Sequence, residues 1–140
     1  MIYLDSSVLA AIFFREPTAA RVLSQIEAAR HRDLVISAWT LTEMASVGAI
    51  KERVGSVDAA TRRQALLFFH RFASATLRTT EVEPGDFRAA ASLMDGPWPL
   101  RAGDALHLAV AKRLAADLAT LDRRQADAAL GHGIPLLPVG

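Results

Sequence analysis

The chain contains no cysteine among its 140 residues, which excludes disulfide bonds, thiolate metal sites and cysteine nucleophiles. Aromatic residues make up only 6% of the sequence, so the core has to be built mainly from aliphatic side chains. The longest apolar run near the start, residues 8–14, ends at Arg15 and is too short to span a bilayer. No basic leader precedes it, and we therefore expect a cytoplasmic protein.

Net charge is nearly lacking as well. The 16 Lys and Arg residues face 15 Asp and Glu residues, which gives a formal charge of +1 at pH 7. Hydrophobic residues reach 51%, enough to exclude intrinsic disorder and to fill one core. A length of 140 residues fits one domain, and neither a linker nor an internal repeat divides it. We therefore predict a single domain over residues 1–140.

Short apolar runs alternate with amphipathic segments along the chain. The runs typical of strands are residues 2–4, 33–37, 77–82, 118–121 and 134–139, the last with prolines and expected at a sheet edge. Helical spacing is found at 6–14, 20–29, 40–53, 103–116 and 123–130, and further helices begin at 58 and 84. Because a parallel crossover needs a long connection, this alternation predicts an α/β fold, a parallel sheet with helices on both faces.

Four acidic residues fall where predicted strands end or helices begin. Asp5 and Asp122 each follow an apolar strand directly. Glu43 is predicted in the first turn of the third helix, and Asp104 opens a helix that is apolar on nearly every side. In a parallel sheet these positions share the edge at which open α/β domains bind ligands. Four carboxylates there repel one another unless a hard divalent cation such as Mg²⁺ or Mn²⁺ neutralises them.

Each of these acids also has a simpler interpretation, because helix starts favour Asp and Glu as caps and as partners of the helix dipole. Asp5 and Asp122 would cap the helices that follow them, and residues 40–43 have the form of a capping box that ends in Glu43. Capping alone does not require two acids directly after apolar strands and a third at the start of a buried helix. The combination favours a shared site.

Four segments closely resemble PIN-domain nucleases: residues 1–7, 41–44, 100–109 and 118–122. The resemblance covers nearly the whole chain. The short length and the stretch Arg-Ala-Gly-Asp-Ala-Leu-His are similar to the VapC family, the ribonuclease toxins of type II toxin-antitoxin systems. This resemblance implies a PIN-like three-layer fold with four or five parallel strands. It also implies Mg²⁺- or Mn²⁺-dependent endoribonuclease activity, homodimers, and inhibition by a VapB-type antitoxin.

The resemblance further implies roles for the acids. Asp5, Glu43, Asp104 and Asp122 become a catalytic quartet in which Asp5 and Asp104 bind the metal directly. The other two acids act through water or a second ion. A divalent ion held there would help a water molecule to lose a proton. The resulting nucleophile would attack an RNA phosphodiester and leave a 5′-phosphate and a 3′-hydroxyl.

Four further residues are candidates for supporting roles. Ser6 and Thr120 match the family pattern and would orient a carboxylate or a water, although local turn hydrogen bonds explain them equally well. Arg101 and Arg123 lie beside quartet acids in the sequence and are the best candidates for contacts with RNA phosphates. His107 lies in the buried helix, where a lone histidine is more typical of a satisfied core residue, or of one that supports the site indirectly, than of a catalytic base.

Other classes of protein fit part of the pattern. Aspartyl-phosphate phosphatases and receiver domains also place Asp after the first strand, but such a phosphatase requires a second acid two residues later, where this chain has Ser7. Two alternatives stay open. One is a housekeeping PIN ribonuclease without an antitoxin, and the other is a non-catalytic module that keeps the acidic edge for a metal or a basic partner.

Overall fold

The computed structural model describes all 140 residues. Its strands are β1 (Ile2–Leu4), β2 (Leu34–Ser37), β3 (Arg78–Thr80) and β4 (Asp117–Ala119). Its helices are α1 (Ser6–Phe13), α2 (Ala19–Ala28), α3 (Ala38–Arg53), α4 (Ala59–Thr76), α5 (Pro84–Leu93), α6 (Ala102–Arg113) and α7 (Arg123–Gly131). None of these helices combines the length and the apolar character that crossing a membrane requires.

The four strands form one parallel sheet in the order β3-β2-β1-β4. Side chains alternate between its two faces, as the pleat of a strand requires. In β1, Ile2 and Leu4 pack against α1, α2 and α4, whereas Tyr3 packs against α5, α6 and α7. The predicted α/β architecture of three layers, with helices on both faces of a parallel sheet, is therefore confirmed.

Helix α6 is the most enclosed helix of the fold. Residues 105–111 are all buried, so the helix has no solvent-facing side over two turns. Its apolar sequence is explained by this position, because a helix that is hydrophobic all round has to be covered all round. The first turn of α6 is thereby fixed at the carboxyl edge of the sheet.

The predicted fifth strand is wrong. Residues 134–139 form only an isolated parallel bridge between Leu136 and Leu118 of β4. The backbone N–H of Leu118 donates to the Pro135 carbonyl at 2.8 Å, and the N–H of Leu137 donates to the Leu118 carbonyl at 2.9 Å. Pro135 and Pro138 have no N–H to donate, so a regular ladder cannot continue.

Helix α3 begins two residues earlier than predicted. Ser37, the last residue of β2, is its N-cap, and Thr40 completes the capping box, with the Ser37 N–H donating to Thr40 Oγ1 at 3.2 Å. The predicted box at residues 40–43 is therefore wrong, and Glu43 lies in the second turn of α3 instead of the first. Glu43 consequently has no capping role in α3.

Candidate active site at the carboxyl edge of the sheet

The four predicted acids line one cavity of about 430 Å³. Asp5 follows β1, Glu43 projects from α3, Asp104 lies in the first turn of α6, and Asp122 is the N-cap of α7. Arg101 is the only cationic side chain that lines the same cavity. Four carboxylates against one guanidinium make the cavity strongly negative, and this is an electrostatic environment that attracts cations.

Asp5 is almost completely buried, with 3% of its surface exposed. Its Oδ1 accepts hydrogen bonds from Ser7 Oγ at 2.6 Å and from the Val8 N–H at 3.2 Å, and its Oδ2 accepts one from Thr120 Oγ1 at 2.7 Å. Burial raises the pKa of Asp5 above its usual value, and these bonds and the nearby His107 counteract only part of that effect. Asp5 therefore caps α1 and also lines the cavity, so the two interpretations of this residue are compatible.

Ser7 and Thr120 fix the Asp5 carboxylate to the loop that follows β4. Besides donating to Asp5, Ser7 Oγ accepts from the Leu121 N–H at 2.9 Å, and Thr120 Oγ1 accepts from the Asp122 N–H at 3.0 Å. Thr120 was among the predicted supporting residues, whereas Ser7 was not. The available signal was its position two residues after Asp5, a spacing typical of side-chain hydrogen bonds in turns.

Glu43 is held at one of its two carboxylate oxygens. Oε1 accepts from Ser6 Oγ at 2.8 Å and also contacts His107 Nε2. Burial disfavours the charged form, yet the hydrogen bonds from His107 and Ser6 hold the pKa of Glu43 below its usual value. Sequence reasoning placed His107 in the core, and the structure adds that this core residue contacts a cavity carboxylate.

The other oxygen of Glu43, Oε2, lies against Gly103. A Cβ at position 103 would be 2.9 Å from Oε2 and 3.2 Å from the Trp39 ring, so a larger residue would have to displace one of them. The Trp39 Nε1 is buried and has no hydrogen-bond partner in the protein. Gly103 and Trp39 therefore shape the cavity. Gly103 lies in the stretch that resembles the VapC family, whereas no sequence pattern indicates a role for Trp39.

Asp104 and Asp122 are less constrained than Asp5. Asp104 Oδ2 lies 3.4 Å from Arg101 Nε, and Asp122 Oδ1 accepts from the Arg124 N–H at 2.9 Å. A second cavity of about 290 Å³ shares Arg101 and these two acids with the first, and Arg124 also lines it. Arg123, a predicted phosphate contact, lines neither of the two cavities.

The donor set suits a hard divalent cation, because it offers carboxylate and hydroxyl oxygens with one competing positive charge. No three carboxylate, histidine or cysteine side chains lie close enough together to enclose an ion. Mg²⁺ does not need such a cage, since it commonly keeps several waters and binds one or two carboxylates. The residues present therefore fit a hydrated cation, with the predicted ligands Asp5 and Asp104 both lining the cavity.

Residues 2–130 match the PIN domain family, whereas no curated protein matches the chain in sequence. Mycobacterium tuberculosis VapC20, a sarcin-ricin loop cleaving toxin, is similar in structure, with a TM-score of 0.67, 19% identity, and coverage of 91% of this chain and 95% of that one. FitAcB from Neisseria gonorrhoeae has a TM-score of 0.71 and 18% identity, with 99% and 97% covered. FitAB bound to the IR36 DNA fragment has a TM-score of 0.67 and 21% identity, with 97% and 93% covered. Because the family match includes nearly every element of the fold, the chain belongs to the PIN domain family.

Proposed function

We propose that this protein is a divalent-metal-dependent endoribonuclease and the toxin of a VapBC-type toxin-antitoxin system. One observation carries the proposal: four carboxylates and a single guanidinium line one cavity at the carboxyl edge of a PIN domain. The structural likeness to VapC20, a toxin that cleaves the sarcin-ricin loop, supports RNA as the substrate.

Asp5 and Asp104 would hold Mg²⁺, with Mn²⁺ as a substitute, and Glu43 and Asp122 would act through water or a second ion. When bound, such a cation makes a water molecule more acidic and stabilises negative charge on phosphoryl oxygens. The chain itself contributes orientation, because Ser7 and Thr120 fix the Asp5 carboxylate before any ligand binds. A fixed carboxylate does not have to be ordered during the reaction.

Arg101 and Arg124 are the cationic side chains best placed for RNA phosphates. Both line the smaller cavity, which shares Asp104 and Asp122 with the larger one and so extends the site along the sheet edge. A phosphate next to the scissile bond would meet a guanidinium there. The predicted contact of Arg123 would lie outside both cavities, on the exposed start of α7.

The partners expected from the sequence belong to the same proposal. A VapB-type antitoxin would inhibit the enzyme, and the toxin would form a homodimer built from one domain over residues 1–140. The structural likeness to FitAB bound to a DNA fragment supports an assembly of this kind. The site of action would be the cytoplasm.

Metal-dependent cleavage of RNA tests the proposed activity. Purified protein is incubated with total bacterial RNA in Mg²⁺ or Mn²⁺ and, in parallel, in EDTA. We expect discrete products with 5′-phosphate and 3′-hydroxyl ends in the metal-containing samples alone. Cleavage that persists in EDTA would contradict the metal requirement. An absence of cleavage by protein that binds Mn²⁺ would favour the non-catalytic module.

Replacing Gly103 with Ala is expected to lower the cleavage rate about 10- to 100-fold, the usual cost of disturbing a group beside a metal site. The reason is the new Cβ, which would lie 2.9 Å from Glu43 Oε2 and force the carboxylate to move. Gly85→Ala is the matched control, because only the Arg88 guanidinium, at 3.9 Å, comes near its Cβ. Equal cleavage rates for the two variants would contradict the placement of Glu43 in the site.

A further inference from the structure

A chain of buried hydrogen bonds leads from the sheet to the acidic cavity. Tyr3 Oη lies 2.8 Å from Ser37 Oγ and 2.6 Å from His107 Nδ1, and His107 Nε2 contacts Glu43 Oε1. Tyr3 is 0% exposed and His107 is 1% exposed, so neither polar group can exchange its partner for water. The chain therefore connects the interior of the fold to one carboxylate of the cavity.

The donors and acceptors of this chain can be assigned one after another. A carboxylate only accepts, so His107 Nε2 carries a proton and donates it to Glu43. In the neutral form of the ring Nδ1 is then an acceptor, and the Tyr3 hydroxyl donates to it. The Tyr3 hydroxyl is fully buried and has only Ser37 and His107 as partners. The Ser37 hydroxyl completes the order by donating to Tyr3.

A purely structural role does not require these side chains. Residues 105–111 of α6 are otherwise apolar, and leucine at 107 and phenylalanine at 3 would fill similar volumes. The buried Ser37 hydroxyl would still have Thr40 Oγ1, 3.4 Å away, as a partner. Buried polar groups that are replaced by apolar ones of similar shape often leave stability unchanged or raise it. The distinctive property of this hydrogen-bond chain is that it ends at Glu43, a carboxylate of the cavity.

The hydrogen-bond chain also determines which oxygen of Glu43 is free. Oε1 receives two protein donors, Ser6 Oγ and His107 Nε2, whereas Oε2 receives none and lies against Gly103 at the cavity wall. A carboxylate held at one oxygen by two donors keeps its rotamer, because turning away would leave both donors unpaired. Oε2 is therefore the oxygen that Glu43 offers to the cavity.

We propose that Tyr3 and His107 are positioning residues of the nuclease site, which hold Glu43 through Oε1 so that Oε2 stays directed at the cavity. This inference rests on the proposed nuclease function and adds two residues to its machinery. Neither residue touches the substrate, and both act through Glu43.

Cleavage kinetics of three variants test the proposal. We expect Tyr3→Phe and His107→Leu to lower kcat about 10- to 100-fold with little change in the KM for RNA, because positioning, and not substrate binding, is lost. His107→Gln keeps an N–H donor and should retain more of the rate than His107→Leu. His107→Leu leaves the buried Tyr3 hydroxyl without its Nδ1 partner, so thermal melts check that both His107 variants stay folded. Phe69→Leu, an equally buried change on the other face of the sheet, is the control for core disturbance.

Nitrogen NMR of the metal-free protein gives a readout that does not depend on activity. We expect the His107 ring to carry its proton on Nε2, and Tyr3→Phe to shift the Nδ1 resonance of His107 while leaving that of His132 unchanged. A proton on Nδ1 alone, or an unaltered spectrum in Tyr3→Phe, would overturn the assigned hydrogen-bond chain.

The two experiments separate the proposals. If the parent protein cleaves RNA and both Tyr3→Phe and His107→Leu stay within twofold of its rate, the positioning role is refuted and the nuclease stands. A positioning role is also refuted if Phe69→Leu lowers kcat as much as the two His107 variants do. If the parent cleaves no RNA although the NMR spectra match expectation, the nuclease function fails while the hydrogen-bond chain is supported.

Discussion

Asp5→Asn is expected to remove RNA cleavage and to leave the metal-free protein at least as stable as before. The loss should be about 1,000-fold or more, because a metal ligand lowers the activation barrier by several kcal/mol and each 1.4 kcal/mol changes a rate tenfold. Asparagine keeps the cap of α1, since Asn and Asp are equally good N-caps. It also keeps a hydrogen bond with Thr120, because Thr120 can turn its hydroxyl proton to Gln125 Oε1, 3.2 Å away, and accept from the new amide.

The stability of this variant depends on the direction in which folding shifts the pKa of Asp5. Burial raises the pKa of Asp5 in the folded chain, so ionised Asp5 is less favourable there than in the unfolded chain. The neutral form gives its full stability below the unfolded value of 3.8, and this stability is lost as the pH rises through the higher folded pKa. The parent should therefore lose stability from this group on the way to neutral pH, whereas Asp5→Asn should not.

Thermal melts of the metal-free proteins between pH 4 and pH 8, together with the cleavage assay, check both halves of this prediction. Asp58→Asn is the matched control, because Asp58 is also the N-cap of a helix and lies away from the cavity. It should cleave RNA like the parent. An Asp5→Asn protein that is folded and active would remove Asp5 from the proposed site, and one that melts well below the parent would show that the carboxylate is needed for folding.

Arg113→Met is expected to destabilise the fold by about 3–5 kcal/mol, the usual cost of leaving a buried charge unpaired. Asp86, in the first turn of α5, is 2% exposed and accepts from Arg113 Nε at 2.8 Å and Nη2 at 2.9 Å. Its Oδ2 also accepts from the Glu83 N–H at 2.8 Å. Arg113 is the last residue of α6, so this pair connects the end of the buried helix to the start of its neighbour.

The pH dependence of this pair is opposite to that of Asp5. Burial acts to raise the pKa of Asp86, but the hydrogen bonds from Arg113 and from the Glu83 N–H, with the guanidinium charge, lower it overall. The stability that Asp86 contributes is therefore complete above the unfolded value of 3.8 and is lost as the pH falls through the lower folded pKa. This part of the stability should disappear in acid below about pH 4.

Urea unfolding at pH 7 and at pH 3 measures these effects. Asp86→Asn combined with Arg113→Met should recover much of the stability lost in Arg113→Met, because asparagine keeps an acceptor for the Glu83 N–H without a buried charge. Arg30→Met is the control, since Arg30 pairs with Glu27 on the surface with 75% of its side chain exposed, and exposed pairs contribute less than about 1 kcal/mol. Similar losses in Arg30→Met and Arg113→Met would contradict the importance of burial.

The fold and the meeting of the four acids could be predicted from the sequence because both depend on local patterns. Apolar runs and helical spacing give the order of the elements, and parallel strands bring Asp5 and Asp122 to one edge without any knowledge of side-chain contacts. The start of α3 was misplaced because Ser37 ends a strand and caps a helix at once. The strand at residues 134–139 failed because hydrophobicity predicts burial there, while proline prevents the ladder.

The details of the site could not be predicted, since they depend on contacts between distant parts of the chain. Tyr3 and His107 are separated by 104 positions, and nothing local to either residue indicates that they meet. Arg123 and Arg124 follow Asp122 directly in the sequence, but neighbours on a helix point about 100° apart. Of these two arginines, Arg124 alone lines the smaller cavity, and the sequence does not give the orientation of α7 that decides this.

The prolines that end the sheet also restrict how this protein can assemble. Residues 134–139 lie along the outer edge of β4, and Pro135 and Pro138 offer no N–H groups to another strand. At the opposite edge, β3 has three residues and begins with an exposed arginine, a short and charged border of the kind that discourages strand pairing between molecules. Neither edge therefore favours a continuous β-sheet between molecules.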